Sequence, residues 1–261
     1  MARICPLFSS SSGNATIIKD GNSSVLIDAG ASFKRLLAAA QNSGCDLGEI
    51  SAVFITHEHS DHIMGLKVLL KNLNIPVIAS EKTLETLISM GCVPTGAKTV
   101  CADSEGNIGE FSYCRFSTSH DCEGSSGYSF ILPSNKKVTV CTDLGVVTDT
   151  VREALAGSNA VLFESNHDVE MLKRGPYPPQ LKLRILSDKG HLSNLASSSE
   201  LPALLNSGTT RFILGHLSTH NNLPMLALSS ARAALSVVGA EENRDYILTC
   251  AKPADNGVTV L

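Results

Sequence analysis

The segment His57-Glu58-His59-Ser60-Asp61-His62 sets two histidines at i and i+2, then a carboxylate and a third imidazole, all within six residues. It follows directly on Val53-Phe54-Ile55-Thr56, a β-branched and aromatic run that reads as a buried strand. The chain must therefore fold so that these groups stand where a strand ends and a loop begins. Packing alone supplies no reason for such a cluster. Imidazole nitrogen and carboxylate oxygen are groups that Zn²⁺, Mn²⁺ and Fe²⁺ accept. An open catalytic site usually takes three protein ligands, so four at one strand end argue for two divalent metal ions.

The rest of the chain alternates strand and helix. Strands are expected at Ile4–Phe8, Asn14–Lys19, Val25–Asp28 and Val77–Ala79, with helices at Ser32–Asn42, His62–Asn72 and Glu81–Met90. A second half starts near Val100, with strands around Phe111–Ser117, Tyr128–Leu132, Val138–Thr142, Val161–Phe163 and Phe212–Leu214. Helices are expected at Ser193–Asn206 and Pro224–Val238, and closing edge strands at Tyr246–Cys250 and Val258–Val260. Two β-rich halves, each carrying helices, suggest two sheets packed face to face with helices outside, an α/β or α+β class. No fixed-period repeat or low-complexity linker interrupts residues 1–261, which are expected to form one domain. The polar run Ser9–Ser12, ending in Gly13-Asn14, fits either a surface loop or a loop lining the site.

Composition narrows the functional classes. A net charge of −4 gives no global attraction for a polyanion, so nucleic acid would need a local basic patch. One occurs between His167 and His191, where Lys173, Arg174, Lys182, Arg184 and Lys189 flank Tyr177 in a Pro-rich turn. These residues are expected to form a basic lip for phosphates, with Tyr177 available to stack on a base. The eight cysteines show no CxxC spacing and read as reduced thiols, with Cys122 and Cys141 close in sequence to candidate site residues. Ile4–Phe8 is too short for a signal-peptide core, and no apolar stretch approaches spanning length. A cytoplasmic protein with no membrane partner is expected.

The HxHxDH pattern resembles the metallo-β-lactamase superfamily, and the resemblance extends along most of the chain. It implies a four-layer αβ/βα sandwich of two packed mixed sheets. Further histidines and a carboxylate stand in the superfamily's order, each just beyond an apolar run: His120 after Tyr113–Ser117, Asp143 after Val138–Thr142, and His216 after Phe212–Gly215. By that resemblance His57, His59 and His120 hold one metal, Asp61, His62 and His216 hold the second, and Asp143 bridges them. Such paired ions lie roughly 3.5–4 Å apart, suited to activating water and clamping a phosphodiester. Asp61 could also orient the resulting hydroxide or take its proton. Zn²⁺, Mn²⁺ and Fe²⁺ are not distinguished.

A superfamily fold does not fix the substrate. The region around His120 lacks the GHTPG segment of glyoxalase-like thioesterases. The chain does carry Phe163-Glu164-Ser165-Asn166-His167, then Gly190-His191-Leu192-Ser193-Asn194, then Gly215-His216-Leu217-Ser218. This combination is similar to the WalJ/YycJ group of bacterial metallo-hydrolases. Glu164 and His191 resemble a pair in which a carboxylate orients an imidazole that protonates the leaving alkoxide. The resemblance implies a metal-dependent phosphodiesterase acting on nucleic acid, a 5′-to-3′ DNA exonuclease being the expected form. Hydrolysis of a small ester, lactone or cyclic phosphodiester is the main alternative, and a metal-binding regulatory protein with vestigial activity is a third. His167 and His220 receive no assigned role; His167 fits either a residue near the site or a hydrogen-bonding structural histidine, and His220 is expected to be exposed, in a loop, Ser218-Thr219-His220-Asn221-Asn222, that could equally contact substrate.

Overall fold

The computed structural model describes residues 1–254 and 256–261. Its first strands are β1 (Arg3–Ser10), β2 (Gly13–Asp20), β3 (Ser23–Ile27), β4 (Ile50–Phe54), β5 (Val77–Ala79) and β6 (Thr99–Cys101). There follow β7 (Glu105–Ile108), β8 (Phe111–Ser117), β9 (Ser126–Ile131), β10 (Lys137–Cys141), β11 (Ala160–Glu164) and β12 (Arg211–Gly215). The last two are β13 (Ile247–Cys250) and β14 (Thr259–Val260). They make two seven-stranded sheets, ordered β14-β1-β2-β3-β4-β5-β6 and β13-β12-β11-β10-β9-β8-β7. Each sheet is mixed: antiparallel through β14-β1-β2-β3 or β7-β8-β9-β10, and parallel beyond β3 or β10.

Strand periodicity assigns side chains to layers. Ala52 and Phe54 of β4 join the core between the sheets, while Val53 and the following Ile55 join the core beneath the first set of helices. Ala160 and Leu162 of β11 likewise face the other sheet, and Val161 and Phe163 face the second set of helices. Three apolar cores separating four layers result. Helices Phe33–Asn42, Leu66–Asn72 and Glu81–Ser89 cover the first sheet, and Asp149–Leu155, Asn194–Asn206 and Pro224–Val237 cover the second. Phe54 makes edge contacts with Tyr113, Tyr128 and Phe130 across the sheet interface, at centroid distances of 5.0, 5.2 and 4.9 Å. Such pairs contribute about 0.5–1.5 kcal/mol each beyond buried area. Tyr128 Oη also donates to the carbonyl of Ile55 at 2.9 Å, fixing the strand end that leads to His57.

The expected sandwich is present, with local differences. The region expected as one helix over His62–Asn72 is broken into Ser60–Ile63 and Leu66–Asn72. Gly65 sits at the break because its N–H donates to Ala29 O at 2.8 Å and a Cβ there would lie 2.1 Å from Ala31 O. The division near Val100 is also displaced: β6 and the terminal β14 both belong to the first sheet. Ser9 and Ser10 extend β1, so Ser11-Ser12 is a tight hairpin turn. The basic segment after His167 is two short helices, Val169–Arg174 and Pro179–Ile185. No helix among the described residues is long and apolar enough to cross a membrane.

Candidate metal centre

Strands β1, β3, β4, β8, β10, β11 and β12 all deliver their C-terminal ends to one rim of the sandwich, the place where α/β sheets present ligand-binding groups. Asp28, His57, His120, Asp143, Glu164 and His216 stand at or just beyond those ends. Asp28, Asp143 and His216 have φ of 59°, 60° and 54°, a left-handed backbone that costs a non-glycine residue energy. The turn thus redirects each side chain from the sheet toward a common centre.

Two groups of donors meet there. His57 Nε2 lies 3.0 Å from His59 Nδ1, and the His57 and His120 ring centroids are 5.0 Å apart. His62 Nε2 lies 3.5 Å from Asp61 Oδ2, which is 3.8 Å from His216 Nε2. Asp143 stands between the groups, with Oδ2 at 3.4 Å from His62 Nε2 and Oδ1 at 3.9 Å from His120 Nε2. All seven residues expected as ligands are therefore assembled.

Outer partners fix which nitrogen each imidazole turns inward. His62 Nδ1 donates to Asp28 Oδ2 at 2.7 Å, His120 Nδ1 to Gly190 O at 3.1 Å, and His216 Nδ1 to Glu164 Oε1 at 2.8 Å. The Thr56 hydroxyl gives its one proton to Asp28, so it must accept from His57 Nδ1 at 3.0 Å. In all four rings Nε2 is left facing the centre, the arrangement by which a second partner orients a metal-binding histidine. Nε2 of His120, Nε2 of His216 and Oδ2 of Asp143 are buried without a hydrogen-bond partner. Buried polar atoms are ordinarily paired, so these orphans and the N/O donor set fit divalent cations.

Electrostatics separates the two groups. Burial, reinforced by neighbouring imidazoles, pushes His57 well below its ordinary value, and burial also lowers His120. Burial acts the same way on His62 and His216, but the carboxylates override it: Asp28 and Asp143 raise His62 well above its usual range, and Asp143, Asp61 and Glu164 raise His216 to about 10. Asp61 is held low by His216 and His62 against the opposing effect of burial.

Glu164 is fully buried at the end of β11. Its Oε1 accepts from His191 Nδ1 at 2.9 Å and from His216 Nδ1, and its Oε2 accepts the backbone N–H groups of Leu144 and Leu192, both at 3.1 Å. These partners hold it charged and lowered despite burial. His191 is partly exposed, the side chain at 16%, so its remaining nitrogen can meet a bound molecule.

Several groups at the rim lay outside the expected ligand and catalytic residues, and the Ser9–Asn14 run takes the second of its two expected places, beside the site. Asp28 carries the same signal as Asp143, a carboxylate just past an apolar run. Asn14 Nδ2 reaches Asp61 Oδ2 at 3.2 Å and His62 Nε2 at 3.0 Å, and Ser9 Oγ accepts from His216 N at 2.8 Å, so the β1–β2 hairpin lines the centre. Cys122 Sγ lies 3.3 Å from His59 Nε2, its thiol pushed up to about 12 by burial, whereas Cys141 packs in the core beneath the helices. His167 is buried, with neither ring nitrogen hydrogen-bonded.

The expected basic lip is only partly free. Lys173 and Arg174 each face Glu170 at 3.4 Å, and Lys182 Nζ donates to Lys173 O. Tyr177 Oη meets His220 Nδ1 at 3.3 Å. Arg184 alone of the five engages a neighbour of the histidines, Asp121. A cleft of about 830 Å³ lined by Asp103, Tyr113, Arg115, Lys137 and Glu153 lies on the outer face of β7–β9 and contains none of these residues.

Comparison with known proteins agrees with this architecture. Residues 23–217 match the model of the β-lactamase superfamily domain. An exodeoxyribonuclease YycJ from Bacillus anthracis is 38% identical over 237 residues, covering 89% of both chains. An exodeoxyribonuclease WalJ from Streptococcus pneumoniae is 35% identical over 85% of this chain and 83% of its own. The metallo-β-lactamase fold protein YhfI from Bacillus subtilis superposes with a TM-score of 0.72 at 16% identity, covering 99% of this chain and 98% of its own. With that fold, that rim of histidines and carboxylates, and relatives matching along most of its length, the chain belongs to the metallo-β-lactamase superfamily, in the family of YycJ and WalJ.

Proposed function

We propose that the protein is a dinuclear metal-dependent nuclease that removes nucleotides from DNA, as the names of its YycJ and WalJ relatives suggest. In this reading His57, His59 and His120 hold one ion, Asp61, His62 and His216 hold the other, and Asp143 is shared. Bound there, two divalent ions supply Lewis acidity at phosphoryl oxygens and lower the pKa of water toward about 7. Zn²⁺, Mn²⁺ and Fe²⁺ all suit these donors. Asp61, kept ionised by His62 and His216, orients the attacking water. His191 donates a proton from Nε2 to the leaving alkoxide, while Glu164 fixes the ring through Nδ1. Residues 1–261 act as one domain. Lys173, Arg174, Tyr177, Lys182 and Arg184 contact the strand beside the metals.

The observation that carries the reading is the partly exposed His191 beside the assembled donors, held by a carboxylate that also holds His216. An alkoxide leaving group needs such an acid. The test is cleavage of end-labelled single- and double-stranded DNA and RNA by protein reconstituted separately with Mn²⁺ and Zn²⁺, beside Asp61→Ala and His191→Ala. Stepwise products from one DNA end, lost in both variants, support the reading and reveal the polarity. Failure of fully metallated protein to cleave any strand rejects it in favour of a small ester, lactone or cyclic phosphodiester.

A further inference from the structure

Arg184 Nε donates to Asp121 Oδ2 at 2.6 Å, and its Nη2 reaches the same oxygen at 2.5 Å. The other oxygen, Asp121 Oδ1, lies 3.3 Å from His120 Nε2 and 3.5 Å from His59 Nε2. One carboxylate therefore separates a guanidinium from two of the histidines at the centre. We propose that Arg184 is the residue that grips the scissile phosphate, and that Asp121 holds it at the rim until substrate arrives. The inference rests on the phosphodiesterase reading and specifies how that site takes its substrate.

The position of Arg184 is built into the fold. Its helix, Pro179–Ile185, ends in a turn that returns directly to His191, whose N–H donates to Ile185 O at 3.0 Å. Gly190 closes that turn, and a Cβ there would lie 2.2 Å from Ile185 O and 2.3 Å from Arg184 O. Gly190 O in turn accepts from His120 Nδ1. The arginine and the histidine proposed to protonate the leaving group thus share one short, tightly packed connection, to which a proposed metal ligand is hydrogen-bonded. Asp121, which holds the guanidinium, lies 3.3 Å from His120 Nε2, and the His120 and His191 ring centroids are 5.1 Å apart, so a phosphate beside His191 would be in the neighbourhood of Arg184.

Exchange is chemically simple. Arg184 and Asp121 have side-chain exposures of 48% and 31%, so the pair is solvated and can open. A guanidinium presents a planar fork that matches two phosphate oxygens, and here it meets only one carboxylate oxygen. Transfer to a phosphodiester replaces that single-oxygen contact with a two-oxygen one. It also leaves Asp121 beside His59 and His120, where positive charge accumulates once a cation is bound. Lys173 and Arg174 lack this link, since both face Glu170.

The test uses Arg184→Gln, Arg184→Lys and Asp121→Asn in the full chain, with thermal melting to verify folding. Binding of a fluorescein-labelled single-stranded oligonucleotide is followed in chelator over a range of salt, and hydrolysis of bis(p-nitrophenyl) phosphate is followed with Mn²⁺. Arg184→Gln should weaken oligonucleotide binding about tenfold, lower the salt slope by about one and raise KM for the small diester. Arg184→Lys should recover the slope but only part of the KM, because a lysine cannot offer the fork. Asp121→Asn should bind the oligonucleotide at least as tightly as the wild type. Unchanged binding and KM in Arg184→Gln overturn the proposal. So does an Asp121→Asn defect equal to that of Arg184→Gln, which would make the pair a structural clip. Wild-type hydrolysis of the small diester without DNA cleavage rejects the nuclease reading alone, and the KM arm still tests Arg184. Failure to bind or hydrolyse either phosphodiester rejects both.

Discussion

His191 Nδ1 lies 2.9 Å from Glu164 Oε1, and that oxygen also accepts from His216 Nδ1 at 2.8 Å. One buried carboxylate oxygen therefore orients both the imidazole proposed as general acid and a proposed metal ligand. Glu164→Gln keeps the volume but cannot satisfy all four N–H donors, because its amide nitrogen is itself a donor. Metal affinity should fall about 10- to 100-fold, as for other lost partners of metal-binding histidines. kcat should fall further, and adding His191→Ala should cost much less than the product of the two single effects. Chelator competition and kcat measurements on the double-mutant cycle check this. Independent, multiplicative effects would contradict a shared role.

His191 should matter in proportion to the basicity of the leaving group. With a nucleoside alkoxide, His191→Ala should lower kcat about 10²- to 10⁴-fold, the usual contribution of a positioned acid. With a p-nitrophenyl ester, whose phenolate leaves without a proton, the loss should be below about tenfold. Metal content should be unchanged, since Glu164 still holds His216. Equal losses on both substrates would assign His191 to structure or metal binding.

Metal binding should show two pH dependences. His62 and His216 are raised by their carboxylates, His216 to about 10, so protons compete with a cation for this group. His57 and His120 are lowered by burial and present bare nitrogens. The affinity of the Asp61-His62-His216 group should rise about tenfold per pH unit for each proton displaced, up to the raised pKa, while His57 and His120 should add little pH dependence to the other group above pH 7. Zn²⁺ titrations against a chromophoric chelator at pH 6.5 and 8 should resolve one steep and one shallow step. Equal slopes would contradict the assignment.

The donors were legible in the sequence because they stand shortly beyond apolar strands or, for His59, Asp61 and His62, at close spacing after His57. His57, Asp143 and His216 all follow that rule, and the common direction of their strands brings the ends together. Asp28 obeys the same rule, but a single carboxylate after Val25-Leu26-Ile27 has no distinguishing spacing. Asn14 and Asp121 depend on how separate hairpins and loops approach one another, which local pattern does not encode. The break at Gly65 was hidden because the apolar spacing of Ile63, Leu66, Leu69 and Leu70 continues through it, while the cause, contact with the Ala29 and Ala31 carbonyls, is tertiary. Glu164 was visible as half of a pair with His191; its second partnership with His216 follows only from the adjacency of β11 and β12.

His167 should tune acid stability without joining the chemistry. It is 1% exposed, neither ring nitrogen is hydrogen-bonded, and burial pushes it down to about 4. The unfolded chain, with a histidine near 6.5, binds a proton more readily. Its neutral burial is therefore undisturbed above about pH 6.5, and stability is lost progressively as pH falls from there through about 4. By pH 5 the loss attributable to this ring should be about 2 kcal/mol, from 1.36 kcal/mol per pKa unit. Replacing it with glutamine removes the titration. The stability gap between wild type and His167→Gln, measured by urea unfolding in chelator, should therefore shift by about 2 kcal/mol in favour of the variant between pH 7.5 and pH 5. Histidines common to both proteins cancel in this difference. A pH-independent gap would mean that His167 is protonated or hydrogen-bonded in the folded protein, and its burial would then require a bound water or anion.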